Sequence, residues 1–362
     1  MRVLFCGGGT AGHVNPALAV AQTVMRNSSE NRVAYVTTLK GIENELVEFK
    51  KYPIDVSGLK KGLSFKNISI LFKQMKAIER CKEIICEFRP DIIFGTGGYA
   101  TFPVVVAGKR LGIKTVVHES NALPGKAIKH LEKKVDRVFV NFEESKEYFK
   151  CKSKIVHTGN PLRKSIEFSK SEARKQLDIK HNFVIVCTSG SLGSQRVNSA
   201  AISLIENLIS NRKDILFIWS TGKNEYERAI SELRRRKIEN LDNVIIRDYY
   251  QGMPTILSSA DLVISRAGAM TISELAYLKK ATILVPSPNV ANNHQYINAR
   301  ALELSRAATV ITEDRLYTLF DTVKELLSNE KKRKDLEENI GKYAICDANK
   351  IIYGQLAELI LN

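Results

Sequence analysis

Short apolar runs alternate along the whole chain with longer stretches whose apolar positions recur at helical spacing. The runs near 3–6, 33–37, 92–95, 115–117 and 138–140 read as strands, as do those near 183–188, 215–219, 244–246, 262–264, 282–285 and 308–311. The stretches at 14–26, 196–210, 271–278 and 294–304 read as helices. Such alternation predicts βαβ units, parallel sheets and helices on both faces. The turn signal Gly159-Asn160-Pro161 separates the two series. The expected fold class is α/β, with two Rossmann-like domains, 1–160 and 161–340, whose parallel sheets face a cleft. Residues 330–361 read as helix with no further strand.

In sheets of this kind a ligand sits beyond the carboxyl ends of the strands. Every glycine-rich segment falls at such an end: Gly7-Gly8-Gly9-Thr10-Ala11-Gly12-His13, Gly95-Thr96-Gly97-Gly98-Tyr99, Ser189-Gly190-Ser191-Leu192-Gly193-Ser194 and Ser265-Arg266-Ala267-Gly268-Ala269. Glycine lets the chain turn sharply there and aim backbone N–H groups at an anion. Gly7, Gly9 and Gly12 also fit G-x-G-x-x-G. A nicotinamide-binding domain would carry a ribose-binding acid near the end of the second strand, and Val36-Thr37-Thr38-Leu39-Lys40 has none. Two anion-binding turns, one per half, suit transfer from a nucleotide diphosphate. No Asp-x-Asp pair occurs, so neither a metal nor another cofactor is expected, and the charge falls to helix N-termini and arginine.

Several polar residues stand out at these ends. His13 enters a helix N-terminus, which favours a neutral imidazole and hence a base; the alternative is a histidine that only braces its loop. His118-Glu119-Ser120-Asn121 follows a strand and reads as a set of substrate contacts, with Glu119 orienting a base or holding a sugar hydroxyl, or else as a solvated turn. Ser191 offers a hydroxyl beside backbone N–H groups, and Arg163 is a candidate phosphate partner. Glu274, one turn into a helix, would accept both ribose hydroxyls or merely offset the helix dipole. Asn292-Asn293-His294-Gln295 supplies amides for a sugar or caps a helix.

Composition narrows the setting more than the chemistry. With 362 residues, 44% hydrophobic and 26% charged, the chain is an ordinary two-domain globular protein. No apolar stretch approaches the roughly 20 residues of a membrane span, and the chain opens on a strand without a leader pattern, so a cytosolic protein is expected. The six cysteines are scattered, without a C-x-x-C pair. The net charge of +16 leaves nucleic acid, an anionic membrane and a polyanionic substrate open. No helix-turn-helix, finger or RNP pattern supports nucleic acid. From Lys60 to Lys76, Leu63, Phe65, Ile68, Leu71 and Phe72 interleave with Lys60, Lys61, Lys66, Lys73 and Lys76. This suits either an interfacial element on anionic lipid or an amphipathic core helix.

Seven segments in register resemble the MurG family over essentially the whole chain: GGGTAGHVNPALA (7–19), FGTGGYATFP (94–103), HESNALPG (118–125), TGNPLR (158–163), SGSLGSQRVN (189–198), SRAGAMTISE (265–274) and NNHQ (292–295). The resemblance implies an inverting, metal-independent transferase of the two-Rossmann-domain (GT-B) type. It would move N-acetylglucosamine from UDP-GlcNAc to the C4 hydroxyl of undecaprenyl-diphosphate-MurNAc-pentapeptide, at the cytoplasmic face of the bacterial inner membrane. Residues 1–160 would take the acceptor, 161–340 the donor, and 341–362 would pack back on the first domain. Thr10, Ala11, Gly12 and His13 would lie on the acceptor and donor-sugar side, with Asn121 on the donor sugar. Arg163 and Ser191 would hold the diphosphate, backbone groups at Tyr249 and Tyr250 the uracil, Glu274 the ribose, and His294 and Gln295 the N-acetylglucosamine. His13 is the expected base, with Glu119 as alternative or orienting partner, and Gly8–Gly12 with Gly97-Gly98 a second anion site for the acceptor diphosphate.

Three departures touch sugar contacts. Leu192 stands where relatives often carry Gln, Lys126-Ala127-Ile128 replaces a common Leu-Thr-Asn, and Ser189 replaces a frequent Gly. A UDP-sugar epimerase or another glycosyltransferase with the same two domains is the nearest rival. A nicotinamide oxidoreductase and a nucleic-acid-binding module fit the residues less well.

Overall fold

The computed structural model describes residues 1–57, 65–162, 168–239 and 241–362. Two compact units divide the chain, one of residues 1–163 with 345–362 and one of residues 164–344. The return to the first unit therefore falls at Ile345 rather than at 341.

The first unit holds a seven-stranded sheet: β1 (Arg2–Cys6), β2 (Arg32–Thr38), β3 (Lys51–Ile54), β4 (Ile92–Gly95), β5 (Lys114–Glu119), β6 (Arg137–Val140) and β7 (Ile155–His157). Its spatial order is β3-β2-β1-β4-β5-β6-β7, all parallel. The second unit holds six: β8 (Phe183–Thr188), β9 (Ile215–Ser220), β10 (Val244–Arg247), β11 (Leu262–Ser265), β12 (Ala281–Leu284) and β13 (Thr309–Val310). Their order, β10-β9-β8-β11-β12-β13, repeats the first sheet's winding, again all parallel.

Each sheet reverses its winding once, between β1 and β4 and between β8 and β11. At such a switch point the two crossovers leave on opposite faces and open a crevice beyond the strand ends. The four glycine-rich segments follow these four strands. The strands read as unbroken apolar runs because helices cover both faces, and Val3, Leu4, Phe5 and Cys6 are all fully buried. The Ala348–Leu361 helix packs Ile352, Leu356 and Leu359 into the core shared by β1 and the Ala11–Asn27 helix, so the chain end belongs to the first unit.

Two strands were not expected from pattern. Pro53 interrupts β3, which tolerates it as an edge strand lacking one ladder partner, and β7 has only three residues. The first helix begins at Ala11 rather than Val14. Gly9, at φ +89°, ends the turn, and the extended Thr10 offers its carbonyl to the N–H groups of His13 and Val14. His13 therefore lies within the first helical turn. Among the described residues no helix is long and apolar enough to cross a membrane.

Candidate functional site

In the first unit the loops after β1 and β4 meet backbone to backbone. A Cβ at Gly98 would stand 2.2 Å from Gly8 O, and one at Gly7 2.0 Å from Thr96 Oγ1. Thr96 Oγ1 donates to His13 O at 2.5 Å, and Tyr35 Oη to Gly7 O at 2.8 Å. The imidazole of His13 is half-buried, its Nδ1 3.2 Å from Gly8 O and 3.2 Å from Thr10 Oγ1. Its other edge lies along Gly97, where a Cβ would be 3.1 Å from Cδ2 and 3.3 Å from Nε2. Thr10 and Gly12 are exposed and Ala11 half-buried on the same turn.

An acid missing from the end of β2 in the sequence pattern is supplied in space by Glu43. It is fully buried and accepts from Thr38 N (2.9 Å), Thr38 Oγ1 (2.6 Å) and Gly9 N (3.4 Å). One N–H of the expected second anion site, that of Gly9, is thereby taken by a carboxylate oxygen of the protein itself.

The segment after β5 also differs from expectation. His118, Glu119 and Ser120 are buried supports, not a row of substrate contacts. His118 Nε2 donates to Gly159 O at 3.0 Å, and burial lowers its pKa to about 4. Ser120 Oγ donates to Asn160 Oδ1 at 3.1 Å. Glu119 accepts from Asn121 N (2.9 Å), Asn121 Nδ2 (3.1 Å) and Gly125 N (2.8 Å). Burial pushes its pKa up against these donors. Both oxygens serve its own loop, so Glu119 orients Asn121 and not His13. The fully buried Ile128 explains how that loop manages without an amide at this position: the side chain fills the core beside Gly97.

In the second unit Gly190 (φ +83°) and Gly193 (φ +89°) shape the turn after β8. Ser191 is exposed, and its N–H and that of Leu192 have no acceptor among the described residues. They stand ahead of the Gln195–Asn207 helix, whose N-cap Ser194 accepts from Val197 N. Beneath the turn, buried Asn198 accepts from Ser189 Oγ (3.0 Å) and Trp219 Nε1 (3.2 Å) and donates to Thr221 O (2.9 Å). Arg266, after β11, donates to Ser194 Oγ (2.5 Å), Glu313 Oε1 (2.5 Å) and Val285 O (3.1 Å), tying three strand-end loops together.

Glu274 lies in the Ala269–Tyr277 helix, with neither a hydrogen-bond donor nor a cation against it among the described residues. Burial alone raises its pKa to about 7. Gln295 Oε1 accepts from Ser287 N at 2.9 Å, which leaves its amide nitrogen outermost, and His294 Nδ1 donates to Ala291 O at 2.8 Å. The Tyr250 hydroxyl donates back to Ile245 O at 3.3 Å. One expected backbone group is lost: Tyr249 N–H is held by Asp248 Oδ1 at 2.7 Å. Ser191, Tyr250, Glu274, His294 and Gln295 thus all follow strands at one edge of one sheet.

Residues 3–140 match the glycosyltransferase family 28 N-terminal domain, and residues 184–350 match its C-terminal domain. The chain belongs to glycosyltransferase family 28. A relative from Thermoanaerobacter sp. (strain X514) is 38% identical over 98% of both chains. It is named UDP-N-acetylglucosamine--N-acetylmuramyl-(pentapeptide) pyrophosphoryl-undecaprenol N-acetylglucosamine transferase. The crystal structure of Acinetobacter baumannii MurG superposes with a TM-score of 0.78 at 23% identity, covering 99% of each chain. The UDP-GlcNAc 2-epimerase of Neisseria meningitidis, solved with UDP-GlcNAc, reaches 0.69 at 15% identity over 99% of this chain and all of its own. The fold, a GT-B-like pair of parallel-sheet domains, is therefore shared with the rival expected from sequence, and the 38% identity separates the family-28 chain from it.

Of the expected contacts in this family-28 chain, Arg163 lies outside the described residues, as do Lys60, Lys61 and Leu63 and the side chains of Phe65, Lys66, Ile68 and Leu71. Phe72 (63% exposed) and Met75 (58%) project from the Phe65–Phe88 helix, and Lys73 pairs with Asp55 at 3.1 Å. Sequence reasoning did not find Glu43, Asn198 or Arg266. Asn198 carried a signal, since it interrupts the apolar face formed by Val197, Ala201, Ile202 and Ile205.

Proposed function

We propose that the chain transfers N-acetylglucosamine from UDP-N-acetylglucosamine to the C4 hydroxyl of the lipid-linked N-acetylmuramyl-pentapeptide, the reaction carried in its relatives' names. The observation that carries this reading is Glu274: a half-buried carboxylate with no hydrogen-bond donor or cation against it among the described residues, at the strand-end edge that a nucleotide's vicinal hydroxyls would satisfy. The N–H groups of Ser191 and Leu192, without an acceptor among the described residues, support a diphosphate contact at this turn. Arg163 is the cationic partner the family pattern adds.

The acceptor hydroxyl attacks the sugar's anomeric carbon from the face opposite UDP and inverts it. His13 takes the hydroxyl proton. With Gly8 O and Thr10 Oγ1 both accepting from Nδ1, that nitrogen carries the imidazole's proton and Nε2 is the basic nitrogen. Charge building on the leaving diphosphate is stabilised by amide dipoles already aimed at it. Asn121, fixed by Glu119, and Gln295 with His294 contact the donor sugar, and the Tyr250 N–H faces uracil. Phe72, Met75 and the lysines of 60–76 bring the first unit to an anionic leaflet at the cytoplasmic face, as a peripheral contact.

The test is purified protein with labelled UDP-GlcNAc and a synthetic lipid acceptor, in EDTA. The expected product is the β-linked lipid disaccharide, formed only with acceptor. Conversion of the nucleotide sugar to its 2-epimer without acceptor, or loss of turnover in chelator, would overturn the reading.

A further inference from the structure

We propose that Glu43 is a positioning residue for His13, acting through the peptide group that joins Gly8 to Gly9. The inference rests on reading His13 as the base. That one amide lies between two side chains: its N–H donates to Glu43 Oε2 at 3.4 Å, and its carbonyl accepts from His13 Nδ1 at 3.2 Å. A negative charge at the N–H end polarises the amide and makes its oxygen a better acceptor. The polarised carbonyl holds the proton on Nδ1 and stabilises the imidazolium that forms as the acceptor's proton arrives. The arrangement does the work of the carboxylate in a Ser-His-Asp triad, with a peptide group interposed.

The carboxylate sits in a close pocket of neutral donors. Glu43 is fully buried, and among the described residues its contacts are Thr38 N, Thr38 Oγ1 and Gly9 N, none of them a cation. Two glycines clear room for it: a Cβ would stand 2.8 Å from the carboxylate at Gly8 and 2.1 Å at Gly41. Holding the loop needs only an acceptor, and a buried carboxylate costs far more desolvation than a neutral one. The other titratable groups against this loop are the phenols of Tyr35, on Gly7 O, and Tyr99, with its ring 3.2 Å from a Cβ at Gly9, and the buried thiol of Cys6, which donates to Phe94 O. The Lys126–Leu131 helix presents Ile128 on that side, with Lys129 over the Tyr148 ring.

The test is a histidine-labelled NMR titration of His13 in the full chain, beside pH profiles of kcat and of the UDP-GlcNAc KM. Glu43→Gln should lower the His13 pKa by about one pH unit and kcat by about tenfold or more, with KM unchanged within about twofold. Glu43→Asp, which keeps the charge, should restore most of the His13 pKa. An unmoved His13 pKa in Glu43→Gln, or equal values in the Asp and Gln variants, overturns the proposal. Should Glu43→Gln fail to fold, Thr38→Val keeps the carboxylate and removes one of its donors; the His13 pKa should then rise, and anything else overturns it. If His13→Ala leaves intact the limb on which rate rises with pH, the base assignment fails, while the NMR titration still reads the Glu43 coupling.

Discussion

Replacing Glu274 with glutamine separates the carboxylate's effect on the fold from its effect on the donor. Burial moves its pKa from 4.5 to about 7. At about 1.4 kcal/mol per pH unit, the ionised group destabilises the second unit by roughly 3 kcal/mol. The sign follows from proton counting. The folded protein keeps a proton that the unfolded chain has released, so the penalty is absent below the unfolded pKa of 4.5, grows across the window and is complete above about 7. Glu274→Gln should therefore match the wild type near pH 4.5 and exceed it above about pH 7, by up to roughly 3 kcal/mol. For a unit of this size that is about 6 to 10 °C in Tm.

Donor binding should move the other way. Both phosphates of UDP-GlcNAc are esterified and do not titrate near neutrality, so any pH dependence belongs to the protein. Wild-type affinity should fall as pH drops below about 7, levelling off about 30-fold lower, as the carboxylate needed by the ribose hydroxyls takes a proton. The variant should bind roughly 30-fold more weakly at about pH 8, the loss of two charge-assisted hydrogen bonds, and show no pH dependence. Calorimetry near pH 7 should also record about half a proton released per donor bound to the wild type. A wild-type affinity flat between about pH 5.5 and 8, or a glutamine variant no more stable at alkaline pH, would refute the placement of ribose at Glu274.

Ser191→Ala should lower turnover by up to about 100-fold with the melting curve unchanged, read by initial rates, because the side chain is exposed and its loss removes one donor at the leaving group. Asn198→Leu should lower Tm and cost about 2 to 4 kcal/mol in denaturant unfolding, since it strands the Trp219 N–H and the Thr221 carbonyl beneath the second glycine turn. His118 is held neutral by burial, its pKa lowered from 6.5 to about 4. The unfolded chain binds a proton there that the folded first unit rejects, so stability should fall by up to roughly 3 kcal/mol as pH drops across that window. His118→Gln, which keeps a donor for Gly159 O, should remove that slope in thermal melts at stepped pH.

What the sequence reveals is whatever has a local cause. Gly9, Gly190 and Gly193 sit at positive φ because the turn after each strand demands it, so the loops could be named without a structure. β3 hides because Pro53 breaks its pattern and only its edge position makes that tolerable. The polar supports hide for a different reason: their role is defined by what buries them. Glu43 reads as a loop acid five residues past Thr38, and His118-Glu119-Ser120 as solvent-facing polar groups, until the neighbouring elements close over them. Burial with full partnering then sorts the polar residues at the strand ends. Glu43, Glu119, Asn198 and Arg266 spend their hydrogen bonds on the protein and form the frame. Glu274 and the N–H groups of Ser191 and Leu192 keep theirs unspent among the described residues, which leaves them for a ligand. Chemistry at the second sheet's edge should therefore fail first at these groups, while substitutions of Glu119, Asn198 and Arg266 should first loosen the loops they hold.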